Sequence, residues 1–268
     1  MELVHLVVVA VIQGITEFLP VSSSGHLVLV PLFMQVPDQG LIIDVVVHVG
    51  TLCAVMVYFW RDVWDMIGGL VQAAKGRPNP KAKLAGLLFV ATIPVLIAGY
   101  ALNYYIPEGI RSLTVIGWAT FGFGLALLIA DQIGMTLRRI DHLQLSDAII
   151  IGLAQAIALI PGTSRSGICM TAGRIIGMER REAARFSMLL GMPAIAGAGV
   201  IKGWEAYKIG NAQLNIDIII SGSLAFVFAL VSIAVMMSWL RRASFTVFAV
   251  YRLLLGGFLL AIAYGGFS

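Results

Sequence analysis

Long apolar stretches separated by short polar segments dominate the chain. A helix that crosses a bilayer needs about 20 mostly apolar residues. Stretches of this kind lie at about 41–60, 84–104, 113–133, 183–202, 216–240 and 245–266. We expect each of these six stretches to form a transmembrane helix.

Two further apolar regions, at about 3–34 and 145–177, are interrupted in the middle by proline, glycine and serine. Each fragment is too short to cross a bilayer alone. Irregular backbone at membrane depth is tolerated only where protein or a water-filled cavity surrounds it. The pattern therefore predicts a re-entrant helical hairpin in each region.

The order of these elements divides the chain into two similar halves, at about 1–140 and 141–268. Each half contains one re-entrant hairpin and three transmembrane helices, and because three is odd, the second half is expected to lie upside down relative to the first. The prediction is an all-α polytopic membrane protein, one membrane domain over 1–268, built as an inverted repeat.

The charges of the loops predict an orientation in the membrane. Basic residues gather at 61–83, at Arg138 with Arg139, and at Arg241 with Arg242, which favours the cytoplasmic side for these loops. The connections at 104–112 and 203–215 are nearly neutral and are expected outside. Among the other charged residues, Arg174 and the run 179–182 are interpreted as marking a membrane-interface face. Arg252, inside the last stretch, is interpreted as an arginine that can snorkel to the interface.

Composition agrees with a membrane protein. Hydrophobic residues make up 59% of the 268 residues and charged residues 12%, whereas a soluble domain carries roughly 25% charged residues. The net charge of +4 lies mostly in loops, so we expect the bilayer, and no nucleic acid, as a partner.

A polar motif occurs twice, at 13–26 and 155–167. Counterparts such as Gln13 and Gln155 lie 142 positions apart, and only the proline moves by one position. The copies differ in chemistry at three positions: Glu17 corresponds to Leu159, Ser23 to Arg165, and His26 to Ile168. One copy thus keeps an acid and an imidazole, and the other keeps a guanidinium. The sequence predicts a single site divided between the two halves.

The turns of both hairpins are suited to anions. Serines that follow a proline are good N-caps for a new half-helix, and a helix N-terminus presents free N–H groups and a positive dipole end to phosphate. Arg165 can bind phosphate oxygens bidentately. The candidate anion-binding residues in the turns are Ser22, Ser24, Gly162, Thr163, Ser164 and Ser166.

Glu17 lies one helical turn after Gln13, so the two side chains share a face. A carboxylate inside a membrane is costly unless it is paired or bound to metal, so both a metal site and a structural ion pair with Arg165 are open. His26 is a candidate proton donor or nucleophile, or a satisfied interior histidine. Asp44 and His48 share a helix face and are expected to support the site or to line the way into it.

At these residues the sequence is similar to the bacterial undecaprenyl-pyrophosphate phosphatases of the bacitracin-resistance type. Their patterns are matched by Gln13 to His26 and by Pro161 to Gly167, and the segments 44–51 and 249–252 also resemble the family. The likeness covers essentially the whole chain. It implies dephosphorylation of a C55 polyprenyl pyrophosphate at the outer, periplasmic face of the bacterial plasma membrane. It also implies a divalent cation as cofactor, Mg²⁺ or Ca²⁺.

The resemblance implies particular roles for particular residues. Glu17, with Gln13, matches the position assigned to metal binding or base action, Ser23 a proposed nucleophile, and His26 the essential histidine. Arg165, with Ser164 beside it, matches the pair that holds phosphate. Two departures concern Gln13, where many members have glutamate, and Cys169, where many have threonine; Thr171 is the nearby hydroxyl that could replace that threonine.

Three questions stay open at the level of sequence. The nucleophile is Ser23, His26 or water. Broken-helix inverted repeats are also typical of transporters, so an alternative function is a carrier or flippase for polyprenyl phosphate. Glycine-rich helix faces are compatible with a homodimer.

Overall fold

We describe the protein from a computed structural model that covers residues 3–36, 40–77, 79–106, 112–209 and 212–265. The side chains of residues 41, 198, 200–209 and 212–215 lie outside this description, as does much of the predicted connections at 104–112 and 203–215. The helices of the described part are α1 (Leu3–Thr16), α2 (Ser23–Leu27), α3 (Leu29–Met34), α4 (Leu41–Tyr58), α5 (Trp60–Ala74), α6 (Pro80–Tyr105), α7 (Leu113–Ile133), α8 (Leu145–Ile157), α9 (Arg165–Ile175), α10 (Arg180–Ile209), α11 (Ala212–Trp239) and α12 (Thr246–Gly265). The predicted all-α class is confirmed.

Four helices of the described part are long and apolar enough to cross a membrane: α6, α7, α11 from Ile216 onward, and α12. They coincide with the predicted stretches 84–104, 113–133, 216–240 and 245–266. Helix α6 begins before its apolar stretch because Asn79 caps it: the Asn79 side chain accepts the Lys81 N–H at 2.8 Å, and Pro80 takes the first helical position. The multi-pass character of the protein follows from these helices.

Helices α4 and α5 form a bent pair, with an angle of 79° between them. The predicted stretch 41–60 is thus one arm of a broken helix, and the prediction of a polar loop over 61–83 is wrong. Apolar residues recur there at helical spacing, and their exposed side chains, Trp60, Trp64, Ile67 and Val71, share one face of α5. This spacing is typical of an amphipathic helix, which the charges of the segment obscured.

Helix α10 contains the predicted stretch 183–202 and continues through Pro193. The two interrupted apolar regions form helices on either side of a turn, as predicted. In the first region α1 is followed by a turn and by α2 and α3; in the second, α8 is followed by a turn and by α9. The two turns face the middle of the helix bundle and build the candidate site described below.

Small residues allow the hairpin helices to approach the long helices closely. Helix α1 packs on α11 and α8 packs on α6. A methyl group on Gly14 would lie 2.8 Å from the Ala225 carbonyl oxygen, and one on Gly152 would lie 2.7 Å from that of Ala91. Helix α7 packs along α12, and α4 packs against both α10 and α11. Helix association in lipid lacks the hydrophobic driving force that acts in water. It depends instead on close van der Waals packing, which these small residues allow.

A buried charge network joins α7, α9 and α10. Arg174 is 0% exposed and donates from Nε to Asp131 Oδ1 at 3.1 Å; Arg180 Nε donates to the same oxygen at 2.7 Å. Asp131 Oδ2 accepts the Phe245 N–H that precedes α12. The interpretation of Arg174 as an interface residue is therefore wrong, because its guanidinium satisfies a buried carboxylate and the carbonyls at the end of α7.

Candidate active site

A cavity of about 510 Å³ opens between the two hairpin turns. Its lining contains Glu17, Ser23, Ser24, Asp44, Val45, His48, Val95, Ala158, Leu159, Pro161, Ser164, Arg165, Ala194, Ile195 and Gly199. The polar members come from both copies of the repeated motif and from α4. The remaining wall is apolar, which suits a molecule with a charged head and a hydrocarbon tail.

The first turn is held in an unusual backbone conformation. Ser22, the N-cap of α2, has φ 74° and ψ 97°, in the region that non-glycine residues rarely adopt. Its hydroxyl accepts the Gly25 N–H at 3.3 Å, and its carbonyl lies 2.7 Å from His26 Nδ1. Because a carbonyl oxygen only accepts, His26 donates through Nδ1.

The second turn repeats this geometry. Ser164, the N-cap of α9, has φ 66° and ψ 109°, and its hydroxyl accepts the Gly167 N–H at 3.1 Å. In each turn the N-cap hydroxyl also lies 3.2 Å from the hydroxyl two residues later, on Ser24 and Ser166. The two copies of the motif therefore build closely similar turns.

Hydrogen bonds tie the turns to each other. The Gly162 N–H donates to Ser24 Oγ at 2.9 Å, and Ser166 Oγ donates to the Leu19 carbonyl at 3.0 Å. Residues that the sequence assigned to anion binding are thus partly used to join the hairpins. These bonds hold the polar side chains of the first turn at a fixed position relative to those of the second turn.

Glu17 is the centre of the polar cluster. Its carboxylate accepts from Arg165 Nη2 at 3.1 Å, from Gln13 Nε2 at 2.8 Å and from Ser23 Oγ at 3.4 Å. His48 Nε2 lies 3.6 Å from Glu17 Oε2, while its Nδ1 lies 2.5 Å from the Asp44 carbonyl oxygen. The acid of the first copy and the guanidinium of the second are in contact, and His48 lies on the cavity wall itself.

Gly191 on α10 makes room for Arg165. A Cβ built on Gly191 would overlap the Arg165 guanidinium, whose Nη1 also donates to the Ser187 carbonyl at 3.4 Å. The Arg165 guanidinium therefore occupies the space that a side chain at position 191 would fill. The pattern of small residues on α10 could not reveal that.

Several predicted site residues do not line the cavity. Thr171 is buried and donates to the Gly167 carbonyl at 2.8 Å, one helical turn back, beside the buried Cys169. Thr163 and Ser22 are fully buried within the turns. His26 Nε2 lies 2.6 Å from the Tyr251 hydroxyl, and the two rings stack with centroids 5.6 Å apart.

Arg252 was interpreted as a snorkelling residue, and that interpretation is wrong. It is 0% exposed, and its guanidinium donates to the carbonyls of Gly162 at 3.1 Å, Thr163 at 2.7 Å and Thr120 at 3.3 Å. An arginine inside an otherwise apolar span is a signal for a functional or structural role. That signal is present in the sequence, but the partners are backbone atoms, which no side-chain pattern identifies.

Glu17 and Gln13 carry oxygen atoms, the ligand type that a hard divalent cation prefers. Among the described residues no group forms a hydrogen bond with the buried Gln13 Oε1, and Asp44 also lines the cavity. Among the described residues no cluster of three or more His, Cys, Asp or Glu side chains could hold a metal ion. Mg²⁺ is commonly held by one or two carboxylates together with substrate phosphates, and Glu17 with Gln13 matches that kind of site.

Comparison with known proteins agrees with this combination of fold and site. The family described as bacitracin resistance protein BacA matches residues 6–258. The chain is a multi-pass membrane protein of that family.

Three curated relatives carry a more specific name. A protein of Ruegeria pomeroyi named undecaprenyl-diphosphatase is 52% identical over 98% of this chain and 100% of its own length. One of Rhodospirillum rubrum named undecaprenyl-diphosphatase 1 is 47% identical over 99% of this chain and 97% of its own. One of a Jannaschia species, named undecaprenyl-diphosphatase, is 50% identical over 98% and 100%. These relatives span the two hairpins and therefore both parts of the candidate site.

Proposed function

We propose that the protein is an undecaprenyl-diphosphatase that hydrolyses undecaprenyl diphosphate to undecaprenyl phosphate and inorganic phosphate. The observation that carries the proposal is the meeting of Glu17, Ser23 and Arg165 at one cavity with otherwise apolar walls. The Arg165 guanidinium and the Ser23 hydroxyl lie 3.1 Å and 3.4 Å from the Glu17 carboxylate. A cationic side chain that binds phosphate, a carboxylate and a hydroxyl are groups that phosphoryl transfer uses. The names of the relatives supply the substrate.

Binding of the head group is the first task of the site. Arg165 exchanges part of its contact with Glu17 for the phosphate oxygens. This exchange is feasible because a carboxylate and a phosphate each offer a guanidinium two neighbouring acceptor oxygens. The N-terminus of α9, which begins at Arg165 itself, adds its free N–H groups and positive dipole end. Val95, Leu159 and Ile195 lie on the apolar part of the wall, where the first prenyl units of the substrate are accommodated.

Ser23 is the proposed nucleophile. Its oxygen forms a bond to the terminal phosphorus, the bond from that phosphorus to the bridging oxygen breaks, and undecaprenyl phosphate leaves with the electron pair. Glu17, which already accepts the hydrogen bond of Ser23, takes the proton. Water then attacks the phosphoserine, releases inorganic phosphate, and the proton on Glu17 returns to the serine oxygen.

A divalent cation, Mg²⁺ or Ca²⁺, is part of the proposal. Glu17 and Gln13 would hold it, and when bound it neutralises charge on the phosphate oxygens. The buried Gln13 Oε1, which has no hydrogen-bond partner in the part of the chain that the structure describes, supports this assignment. Gln13 now directs its amide nitrogen at Glu17. A half-turn of the amide would exchange the nitrogen and the oxygen, so that Gln13 Oε1 would face the same side as the Glu17 carboxylate.

We extend the proposal to the architecture and the orientation. The two hairpins are re-entrant, and residues of about 1–140 and 141–268 form inverted repeats. Support comes from the matching strained serines of the two turns. Further support comes from packing across the two halves, because the first helix of each half packs on a long helix of the other half: α1 on α11, and α8 on α6. The loop charges support an opening of the site to the outer face of the bacterial plasma membrane.

The test is release of phosphate from undecaprenyl diphosphate by the purified protein in detergent micelles. The reaction is then quenched in acid, which preserves phosphoserine, and in parallel in alkali, which preserves phosphohistidine. Phosphate on Ser23 supports the mechanism. Phosphate on His26 would show that His26 is the nucleophile. Turnover without a trapped phosphorylated enzyme, together with retained activity of Ser23→Ala, favours direct attack by water. Transfer of labelled lipid across liposomes without phosphate release would instead support a flippase.

A further inference from the structure

The last helix holds both turns of the candidate site through two neighbouring residues. Tyr251 reaches the first turn through His26, and Arg252 reaches the second turn through the carbonyls of Gly162 and Thr163. We propose that Tyr251 and Arg252 are positioning residues for phosphoryl transfer, and that His26 is the bridge between Tyr251 and the first turn rather than the nucleophile. The inference rests on the proposed function.

The strained serines explain why such residues are needed. Ser22 and Ser164 have positive φ angles of 74° and 66°. A non-glycine residue persists in this region only where its surroundings over-determine it. An isolated turn of this sequence would relax to another conformation, and the residues next to each serine would move with it. In both turns these residues, Ser23 and Arg165, carry the proposed chemistry.

Arg252 fixes the second turn from behind. Its guanidinium binds the two carbonyls immediately before Ser164, and its Nε binds the Thr120 carbonyl of α7. No carboxylate pairs with Arg252 among the described residues, and its Nη1 has no hydrogen-bond partner. An uncompensated buried cation costs stability, so its presence indicates a task that an apolar residue could not perform.

His26 fixes the first turn in a comparable way. Its Nδ1 donates to the carbonyl of the strained Ser22, and its Nε2 lies 2.6 Å from the Tyr251 hydroxyl, with which it forms a hydrogen bond. Both ring nitrogens are therefore occupied by the protein. His26 is also absent from the cavity lining, where Ser23 is present. A nucleophilic histidine needs a free nitrogen directed at phosphorus, and this histidine has none.

The experiment compares Tyr251→Phe, Arg252→Gln and Arg252→Lys with two controls, Tyr264→Phe on the same helix and Arg241→Lys outside the bundle. Tyr264 is a matched control because its hydroxyl also forms a hydrogen bond, with Trp118, and it lies thirteen residues after Tyr251 on the same helix. We expect Tyr251→Phe and Arg252→Gln to lower kcat by about 10- to 100-fold through misplacement of reacting groups. KM should stay nearly unchanged because the cavity residues are intact. Arg252→Lys should recover part of the loss, since an ammonium can still donate to these carbonyls.

His26 is tested by a second pair of variants. Asparagine at position 26 can still donate to the Ser22 carbonyl, whereas phenylalanine cannot. We expect His26→Asn to retain clearly more activity than His26→Phe. Equal inactivity of both variants, with a trapped phosphohistidine in the wild-type protein, would overturn the bridging role.

Hydrogen exchange gives a readout that does not depend on activity. The amides of Gly25 and Gly167 donate to the strained serines, so peptides that contain them should exchange faster in Tyr251→Phe and Arg252→Gln than in the controls. Wild-type kcat and unchanged exchange in both variants would overturn the inference, as would a rise in KM alone. If Arg252→Gln fails to fold, Tyr251→Phe, which removes a single hydroxyl, decides. If the wild-type protein releases no phosphate, the proposed function is refuted. Hydrogen exchange then still tests whether Tyr251 and Arg252 hold the two turns in place.

Discussion

The carboxylate of Glu17 and the guanidinium of Arg165 are 3.1 Å apart, although 148 positions separate them in the chain. Each belongs to one copy of the same motif, and neither copy contains both groups. The pair is well shielded, with side-chain exposures of 7% and 16%. A buried pair of this kind contributes little net stability compared with apolar residues of the same shape, which indicates that its value lies in the chemistry of the cavity.

The first prediction concerns the charge of Glu17. Glu17→Gln keeps the shape of the side chain, but it removes the proposed proton acceptor and leaves Arg165 without its carboxylate. We expect kcat/KM for undecaprenyl diphosphate to fall by at least about 100-fold. The matched control is Glu179→Gln, which breaks an exposed contact with Arg139 and should leave turnover unchanged. Comparable activity of Glu17→Gln and the wild-type protein would contradict the proposed mechanism.

The second prediction concerns the space that Gly191 leaves for Arg165. In Gly191→Ala the added methyl group overlaps the guanidinium, so the arginine must shift away from its place beside Glu17. We expect roughly 10-fold lower kcat/KM, because a small displacement of a phosphate-binding group is costly in catalysis. The methyl group of Gly197→Ala, on the same helix, would meet no atom of the described residues within 4 Å, so this variant should behave as the wild-type protein. Equal activity of the two variants would show that Arg165 can adopt another conformation without loss of function.

The sequence was sufficient for the four long apolar helices and for the meeting of the two motifs. Apolar length locates α6, α7, α11 and α12 because lipid leaves a spanning segment little choice but to be helical. The chemical difference between the copies, acid in one and arginine in the other, indicated that they meet. The bend between α4 and α5 was missed because an amphipathic helix such as α5 has the charge content of a loop.

The positions of single polar residues were less predictable. Arg174 and Arg252 have partners far away in the chain: a carboxylate on α7 for Arg174, and backbone carbonyls for Arg252. Sequence spacing identifies neighbours on the same helix, as it did for Gln13 and Glu17, but it does not identify contacts made through tertiary packing. His26 was likewise assigned to chemistry by its motif, while its contacts depend on Tyr251, which the chain brings from the last helix.

The third prediction concerns the buried network around Asp131. Asp131→Asn leaves Arg174 fully buried without a counter-charge and weakens the bond to the Phe245 N–H. We expect a loss of about 3–5 kcal/mol in the free energy of unfolding, measured by denaturation in detergent micelles. Asp65→Asn removes only an exposed contact with Lys81 and should cost less than about 1 kcal/mol. A small effect of Asp131→Asn would mean that the carbonyls around Arg174 suffice to stabilise its charge.

The fourth prediction concerns the divalent cation. Phosphate release should be lost in the presence of a chelator and restored by Mg²⁺ or Ca²⁺, because the cation neutralises the charge of the pyrophosphate. Gln13→Glu places a second carboxylate beside Glu17, and two carboxylates bind such a cation more tightly than a carboxylate and an amide do. The concentration of cation that gives half-maximal activity should therefore fall in Gln13→Glu. Gln72→Glu, which adds the same charge at an exposed position, should not change it. An unchanged half-activating concentration in Gln13→Glu would place the cation away from Gln13, and full activity in chelator would remove it from the mechanism.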